Sequence, residues 1–161
     1  IIGAKYVPLG SHPGLVQEHR PAEPPFDITL QCYMSGRRTY MADRLMERGL
    51  TIAPSKWNPD RDALLKATTA MLHIHQWDAI ATIAPLRFAI AAAYGLPLIS
   101  EKVENRDIFS EVVLFCNYDA MPDYVSTLVR RYPERLKEYG GGPRRWPGEH
   151  RARSSRRGRR P

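Results

Sequence analysis

Apolar and polar residues are arranged in two different patterns along the central part of this chain. Short, mostly apolar runs predict β-strands at 27–34, 50–53, 70–75, 96–100 and 111–117. Between them, apolar residues recur every three or four positions, which predicts helices at 37–48, from Asp60 or Asp62 to Ala67, at 85–94 and at 120–139. This regular alternation predicts an α/β fold, a Rossmann-like parallel sheet with helices on both faces.

Composition divides the chain into three segments. Residues 1–26 are rich in proline, glycine and histidine and predict an extended linker with one short strand at 4–7. Residues 27–140 carry the strand and helix pattern, and 16 basic residues there and in the linker face 16 acidic ones. Residues 141–161, the arginine-rich tail, hold eight arginines and one glutamate, which accounts for the net charge of +7. The tail has too little apolar content to order itself and is predicted to be disordered.

The sequence indicates neither a membrane span nor a bound metal. The longest apolar stretch, 80–98, is interrupted by Arg87, Gly95 and two prolines, whereas a membrane-spanning helix needs about 20 mostly apolar residues. The two cysteines, Cys32 and Cys116, have no zinc-type spacing and lie in apolar runs, where a free thiol behaves as a small hydrophobe. We therefore expect a cytoplasmic protein without a metal or cofactor.

Three short segments resemble the C-terminal domain of GT-B glycosyltransferases, especially the bacterial and phage group similar to CgeB-type proteins. They are YVPLG at 6–10, AMLHIH at 70–75 and RFAIAAAYGLPLIS at 87–100. The resemblance implies the donor-binding half of a glycosyltransferase, with a nucleotide-sugar as substrate and no cofactor. In that family the acceptor and its activating base normally come from an N-terminal domain, which is not in this chain. The chain does not begin with Met, which suggests a processed chain, an excerpt or the second half of a longer protein.

The phosphate groups of such a donor are expected beyond the first strand. Ser35, Gly36, Arg37 and Arg38 follow that strand and open a helix. Helix N-termini and arginine side chains both favour anions at the carboxyl edge of an α/β sheet. Gly36, Arg37 and Arg38 are therefore predicted substrate-binding residues; the alternative is ordinary solvated charge on the first helical turn.

Two histidines alternate on one predicted strand, so His73 and His75 are expected on the same face of the sheet. His75, at the carboxyl end, is the candidate catalytic residue, placed to contact donor phosphate or act on the acceptor, and His73 is a candidate substrate contact. The competing interpretation is a pair of histidines satisfied within the sheet. A metal pair is disfavoured because no third ligand has a predictable spacing.

Arg87 and Glu101 complete the predicted site. Arg87 interrupts an apolar helix, so it needs an anion, either a ligand phosphate or a carboxylate such as Asp78 or Glu101. In the family pattern a glutamate of this helix contacts the donor ribose, but Ile90 stands at the matching position. Glu101, just after the fourth strand, is the candidate substitute.

Three functions are open from the sequence. The first is a nucleotide-sugar-dependent glycosyltransferase that binds its donor through this domain. The second is a non-catalytic nucleotide-binding or degenerate transferase module, which Ile90 favours. The third is non-specific binding of nucleic acid or another polyanion through the arginine-rich tail, with no role for the folded domain.

Overall fold

A computed structural model of the chain describes residues 21, 23–57, 59–79, 84–103, 113–131 and 133–134. The strands are β1 (Phe26–Thr29), β2 (Ile52–Ala53), β3 (Thr68–His73), β4 (Leu98–Glu101) and β5 (Val113–Cys116). The helices are α1 (Gly36–Glu47), α2 (Pro59–Lys66), α3 (Pro85–Ala93) and α4 (Met121–Arg131). Each corresponds to an element predicted from the sequence, in the predicted order.

Within the described ranges the strands form one parallel sheet in the order β2-β1-β3-β4-β5. Every neighbouring pair is parallel, with Ile28 opposite both Ile52 and Ala70, and Ser100 opposite both His73 and Phe115. This confirms the predicted α/β, Rossmann-like fold. The chain passes from β1 to one side to form β2, then returns past β1 to form β3, so the order reverses between β1 and β3.

Helices cover both faces of the sheet and bury a separate core on each. On one face α1 and α4 pack against alternate strand residues, including Ile28, Leu72 and Ile99, which are all buried. On the other face α2 and α3 pack against the intervening residues, including Met71 and Leu98. Strand side chains alternate between the faces, and a strand with helices on both sides is apolar at nearly every position. The continuous apolar runs in the sequence follow from this arrangement.

Several strands end earlier than their apolar runs predict. The run at 27–34 gives a strand only to Thr29, yet Leu30 and Cys32 beyond it are buried. Likewise β3 ends at His73, although Ile74 and His75 are buried. The loops at this edge fold over the core, so apolar character continues after strand pairing has stopped.

Some predictions lie outside the described residues. These are the strand at 4–7, nearly all of the linker at 1–26, the last part of the helix at 120–139, and the arginine-rich tail. The domain limits at 27 and 140 therefore stay predictions. None of the helices in the described ranges has the length and apolar character that crossing a bilayer requires.

Candidate functional site: a cationic crevice at the β1–β3 edge

We call the edge of the sheet where β1 and β3 end and where α1 and α3 begin the cationic crevice; its side chains are those of Arg37, Arg38, His73, His75, Arg87 and Glu101. Neither helix has an acidic residue in its first turn, and neither receives a capping hydrogen bond from the side chain before it. At α1 the preceding residue is Ser35, whose Oγ is buried and has no partner among the described atoms. The partial positive charge of both helix N-termini is therefore not offset by their own caps.

Arg37 is the most connected residue of the crevice. Its Nη1 and Nη2 atoms donate to the two carboxylate oxygens of Glu101 at 2.7 and 2.6 Å, and its Nε lies 2.5 Å from Asp78 Oδ1. The guanidinium also lies 3.7 Å from the centroid of the Tyr118 ring, and the Tyr118 hydroxyl donates to the Arg37 carbonyl oxygen. These contacts tie α1 to the ends of β3, β4 and β5.

Arg38 is the most deeply buried of the described arginines, and the hydrogen bonds that it makes to described residues all go to the backbone. Only 4% of the residue is exposed. Its Nε donates to the carbonyl oxygen of Ile74 at 3.0 Å and its Nη1 to that of Tyr33 at 2.9 Å. No carboxylate lies within ion-pair distance of it in the part of the chain that the structure describes. Arg38 therefore connects the loops after β1 and β3 by hydrogen bonds, and its charge has no carboxylate partner among the described residues.

Arg87 contacts His73 and determines the tautomer of that histidine. Nη1 of Arg87 lies 2.7 Å from His73 Nδ1. Because a guanidinium can only donate, Nδ1 accepts and the proton of the neutral imidazole lies on Nε2. Burial, aided by the Arg87 charge, lowers the pKa of His73 to about 3, so the ring is neutral. Its Nε2–H is buried and has no partner among the described residues.

His75 and Glu101 form a second buried contact. The backbone N–H of His75 donates to Glu101 Oε2 at 3.1 Å, and its Nδ1 lies 3.5 Å from the same oxygen. Burial lowers the pKa of His75, and the Glu101 charge opposes this effect only in part. The ring lies edge-on to His73, with 5.3 Å between centroids. A proton on Nδ1 toward Glu101 would leave Nε2, which is buried without a partner among the described atoms, as a free base.

The structure thus brings all of the predicted site residues to one edge, linked by successive contacts from Arg87 through His73, His75 and Glu101 to Arg37. Gly36 opens α1 there, with no atom within 4 Å of the position that a Cβ would take. The rings of the two histidines lie close together, as a shared face would require, although β3 ends at His73 and His75 follows it in the loop. The ligand-binding roles, and the catalytic role of His75, stay predictions.

The partner expected for Arg87 is different in the structure. Asp78 and Glu101 were its candidate carboxylates, but both pair with Arg37. Burial lowers the pKa of Arg87, as expected for a cation without a compensating carboxylate. Glu101, proposed as a ribose contact, is engaged by Arg37 and His75. These pairings join residues up to 64 positions apart, and only the strand order determines which of them meet.

Sequence reasoning missed Tyr118, which follows β5 and stacks on Arg37. A tyrosine directly after a buried strand is the only signal that the sequence offered. The crevice also lacks the features of a metal centre: the described residues contain no group of three or more His, Cys, Asp or Glu placed to hold an ion.

Comparison with known proteins adds a distant relative to this picture. No protein-family model matches the chain, and no solved structure matches it. It is similar to the protein named uncharacterized protein L140 of Acanthamoeba polyphaga mimivirus, with 29% identity over 105 residues. The match covers 61% of this chain and 34% of the viral protein, so the chain spans about a third of the length of that relative.

Proposed function

We propose that this chain is the donor-binding half of a nucleotide-sugar-dependent glycosyltransferase and that it holds the donor diphosphate in the β1–β3 crevice. One observation carries the proposal: Arg38 and Arg87 lie at this edge without a carboxylate partner among the described residues. Ligands of doubly wound α/β sheets bind at such a reversal of strand order.

The energetic argument starts from the cost of an uncompensated charge. A buried cation without an anionic partner loses several kcal/mol of hydration that nothing else restores. Among the described residues, Arg38 donates only to backbone carbonyls and Arg87 contacts only a neutral histidine. A diphosphate would supply the missing negative charge, and the helix N-termini and the free Nε2–H of His73 would supply further donors. The crevice therefore has the donors and charge that an anionic group requires.

The same groups suit the transfer step. When the bond between the sugar and the diphosphate breaks, negative charge develops on the leaving phosphate oxygen. Fixed cations and N–H donors stabilise that charge without reorganising, which lowers the barrier. In this proposal the acceptor and its activating base come from a further domain, and His75, held by Glu101, is the candidate catalytic residue of this half, placed to contact donor phosphate or act on the acceptor.

A second candidate function is nucleotide binding without transfer. Ile90, at the position where a ribose-binding glutamate is expected, packs against the apolar core between α3 and the sheet. Glu101 already accepts hydrogen bonds from Arg37 and His75. This module would recognise the diphosphate and gain nothing from the sugar.

Thermal-shift measurements on the full chain test the proposal. The ligands are UDP, GDP, ADP and TDP and their sugar conjugates. A bound ligand at a hundredfold excess over its Kd stabilises the protein by about 2.7 kcal/mol. We expect one base to raise the melting temperature selectively and one of its sugar conjugates to raise it further. Equal shifts for a nucleoside diphosphate and all its sugar conjugates would support the non-catalytic module instead.

Arg87→Met is the matched test of the site. It removes a cation that burial disfavours but also leaves His73 Nδ1 without its donor, so the two effects oppose each other and the ligand-free protein should stay folded with a stability close to that of the wild type. The ligand-induced shift should disappear. Arg131→Met, an exposed change on α4, removes the same charge and should keep the shift. Loss of the fold in Arg87→Met, with no selective shift in the wild type, would make Arg87 a structural residue and would contradict the proposal.

A further inference from the structure

Arg37 holds two carboxylates that differ greatly in exposure. Its Nη atoms bind Glu101, whose side chain is 11% exposed, and its Nε lies 2.5 Å from Asp78, whose side chain is 86% exposed. Glu101 approaches from the buried edge of the sheet. Asp78 lies in the loop after β3 and approaches from solvent.

Most of the Arg37 side chain is otherwise enclosed. The Tyr118 ring lies against the guanidinium, and Nη1 also donates to the carbonyl oxygen of His75 at 3.3 Å. The side chain is only 16% exposed. An anion that arrives from solvent therefore reaches Arg37 along the Nε edge, which Asp78 occupies.

We infer that Asp78 is an internal substitute for the ligand anion. It neutralises the Nε edge of Arg37 in the free protein and leaves that edge when a phosphate group binds. The inference rests on the proposed function because it concerns the same crevice. It assigns Asp78 a role in selectivity: a ligand must bind Arg37 better than a carboxylate does.

The difference in exposure explains why Asp78 exchanges and Glu101 does not. An exposed ion pair contributes little because water screens it and both side chains lose freedom. A buried bidentate pair is costly to break because it leaves an unpaired charge. Glu101 also accepts the backbone N–H of His75. Glu101 therefore keeps Arg37 in place when a ligand anion displaces Asp78.

The expected consequence is a threshold that every anionic ligand must overcome. A diphosphate brings more negative charge and more acceptor oxygens than one carboxylate, so it displaces Asp78, whereas an anion that binds Arg37 no better than a carboxylate does not bind. Because displacing Asp78 costs the same free energy whichever anion arrives, all anionic ligands should bind more tightly without it.

Isothermal titration calorimetry on the full chain tests the inference, with inorganic pyrophosphate and inorganic phosphate as probes. The variant is Asp78→Asn. The matched control is Asp123→Asn on α4. Asp123 is also exposed, at 77%, and it accepts a hydrogen bond from Arg48 Nε at 2.8 Å. Each change removes one negative charge and one exposed arginine–aspartate pair, and the arginine-rich tail is the same in all three proteins.

Asp78→Asn should bind pyrophosphate about two- to fivefold more tightly than the wild type, the range expected for loss of an exposed competing ion pair. Inorganic phosphate should gain by a similar factor, because both anions displace the same ion pair, and Asp123→Asn should match the wild type. Unchanged affinity in Asp78→Asn, or an equal gain in Asp123→Asn, would overturn the inference and leave the proposed function standing. If neither the wild type nor Asp78→Asn binds pyrophosphate at millimolar concentration, the proposed anion site is wrong, and the inference fails with it.

Discussion

Arg37, Arg38 and Arg87 carry the same charge in one cluster, yet different groups face each of them. Arg37 has two carboxylates, Arg38 two backbone carbonyls, and Arg87 a neutral histidine. Desolvation consequently lowers the pKa of Arg87, whereas the hydrogen bonds that Arg37 donates to Glu101 raise the pKa of Arg37. At this scale Arg38 and Arg87 have no carboxylate partner among the described residues, whereas Arg37 can bind a ligand anion only after Asp78 leaves it.

The buried His73 gives a testable dependence of stability on pH. Its pKa falls from 6.5 to about 3 on folding. Below pH 6.5 the unfolded chain binds a proton that the folded chain does not, so folding is favoured less as the pH falls. The stability is fully present above pH 6.5 and is lost between 6.5 and 3 at about 1.4 kcal/mol per pH unit.

We expect His73→Asn to flatten this dependence, because an asparagine does not titrate and its amide oxygen can accept from Arg87 in place of Nδ1. Urea unfolding at pH 7.5 and 5.5 measures the effect. The loss of free energy of unfolding between these values should be about 1 kcal/mol smaller in the variant. His75 has a pKa shift of the same sign but is present in both proteins, so its contribution cancels. Parallel pH profiles would show that His73 is not buried as a neutral ring.

At the scale of elements, the sequence predicts the order of strands and helices. Each helix buries one face and each strand buries both of its faces, so the two kinds of element have different apolar patterns. The sequence does not predict where β1 stops, since Leu30 and Cys32 are as buried as the strand itself. Nor does it predict the Arg37–Glu101 pair, which depends on β1 lying beside β3 and β3 beside β4. Local sequence patterns indicate which residues are buried, but the site depends on which strand ends lie next to each other in the sheet.

Two glycines near the ends of α1 should respond in opposite ways to alanine. Gly36 has open space where a Cβ would lie, and its φ is not positive, so alanine should favour the helix and stabilise the protein by about 0.5 kcal/mol. Gly49 has a φ of +74°, a conformation that costs an alanine about 1–2 kcal/mol. Urea unfolding of Gly36→Ala and Gly49→Ala measures both effects. A destabilising Gly36→Ala would mean that the α1 N-terminus is more crowded than the structure shows.

At the scale of the whole molecule, positive charge is concentrated in the crevice and in the arginine-rich tail. In the crevice, arginines face carboxylates and a neutral histidine in fixed geometry. The excess charge of the chain lies in residues 141–161, outside the described part. A crevice of fixed geometry is suited to one small anion. Closely spaced arginines such as those of the tail bind polyanions by releasing counterions. The two should therefore differ in salt dependence and in ligand size.

We expect the tail alone to be responsible for binding to nucleic acid. Replacing its eight arginines with glutamine in the full chain should abolish binding to a random-sequence DNA duplex in fluorescence anisotropy at 150 mM salt. Replacing them with lysine keeps the charge and should keep the binding and its steep salt dependence. Neither change should alter the nucleoside diphosphate shift, because the crevice is built from residues 35–118. If the glutamine variant still binds DNA, the folded domain itself presents a polyanion surface, and the crevice would be the first place to examine by Arg87→Met.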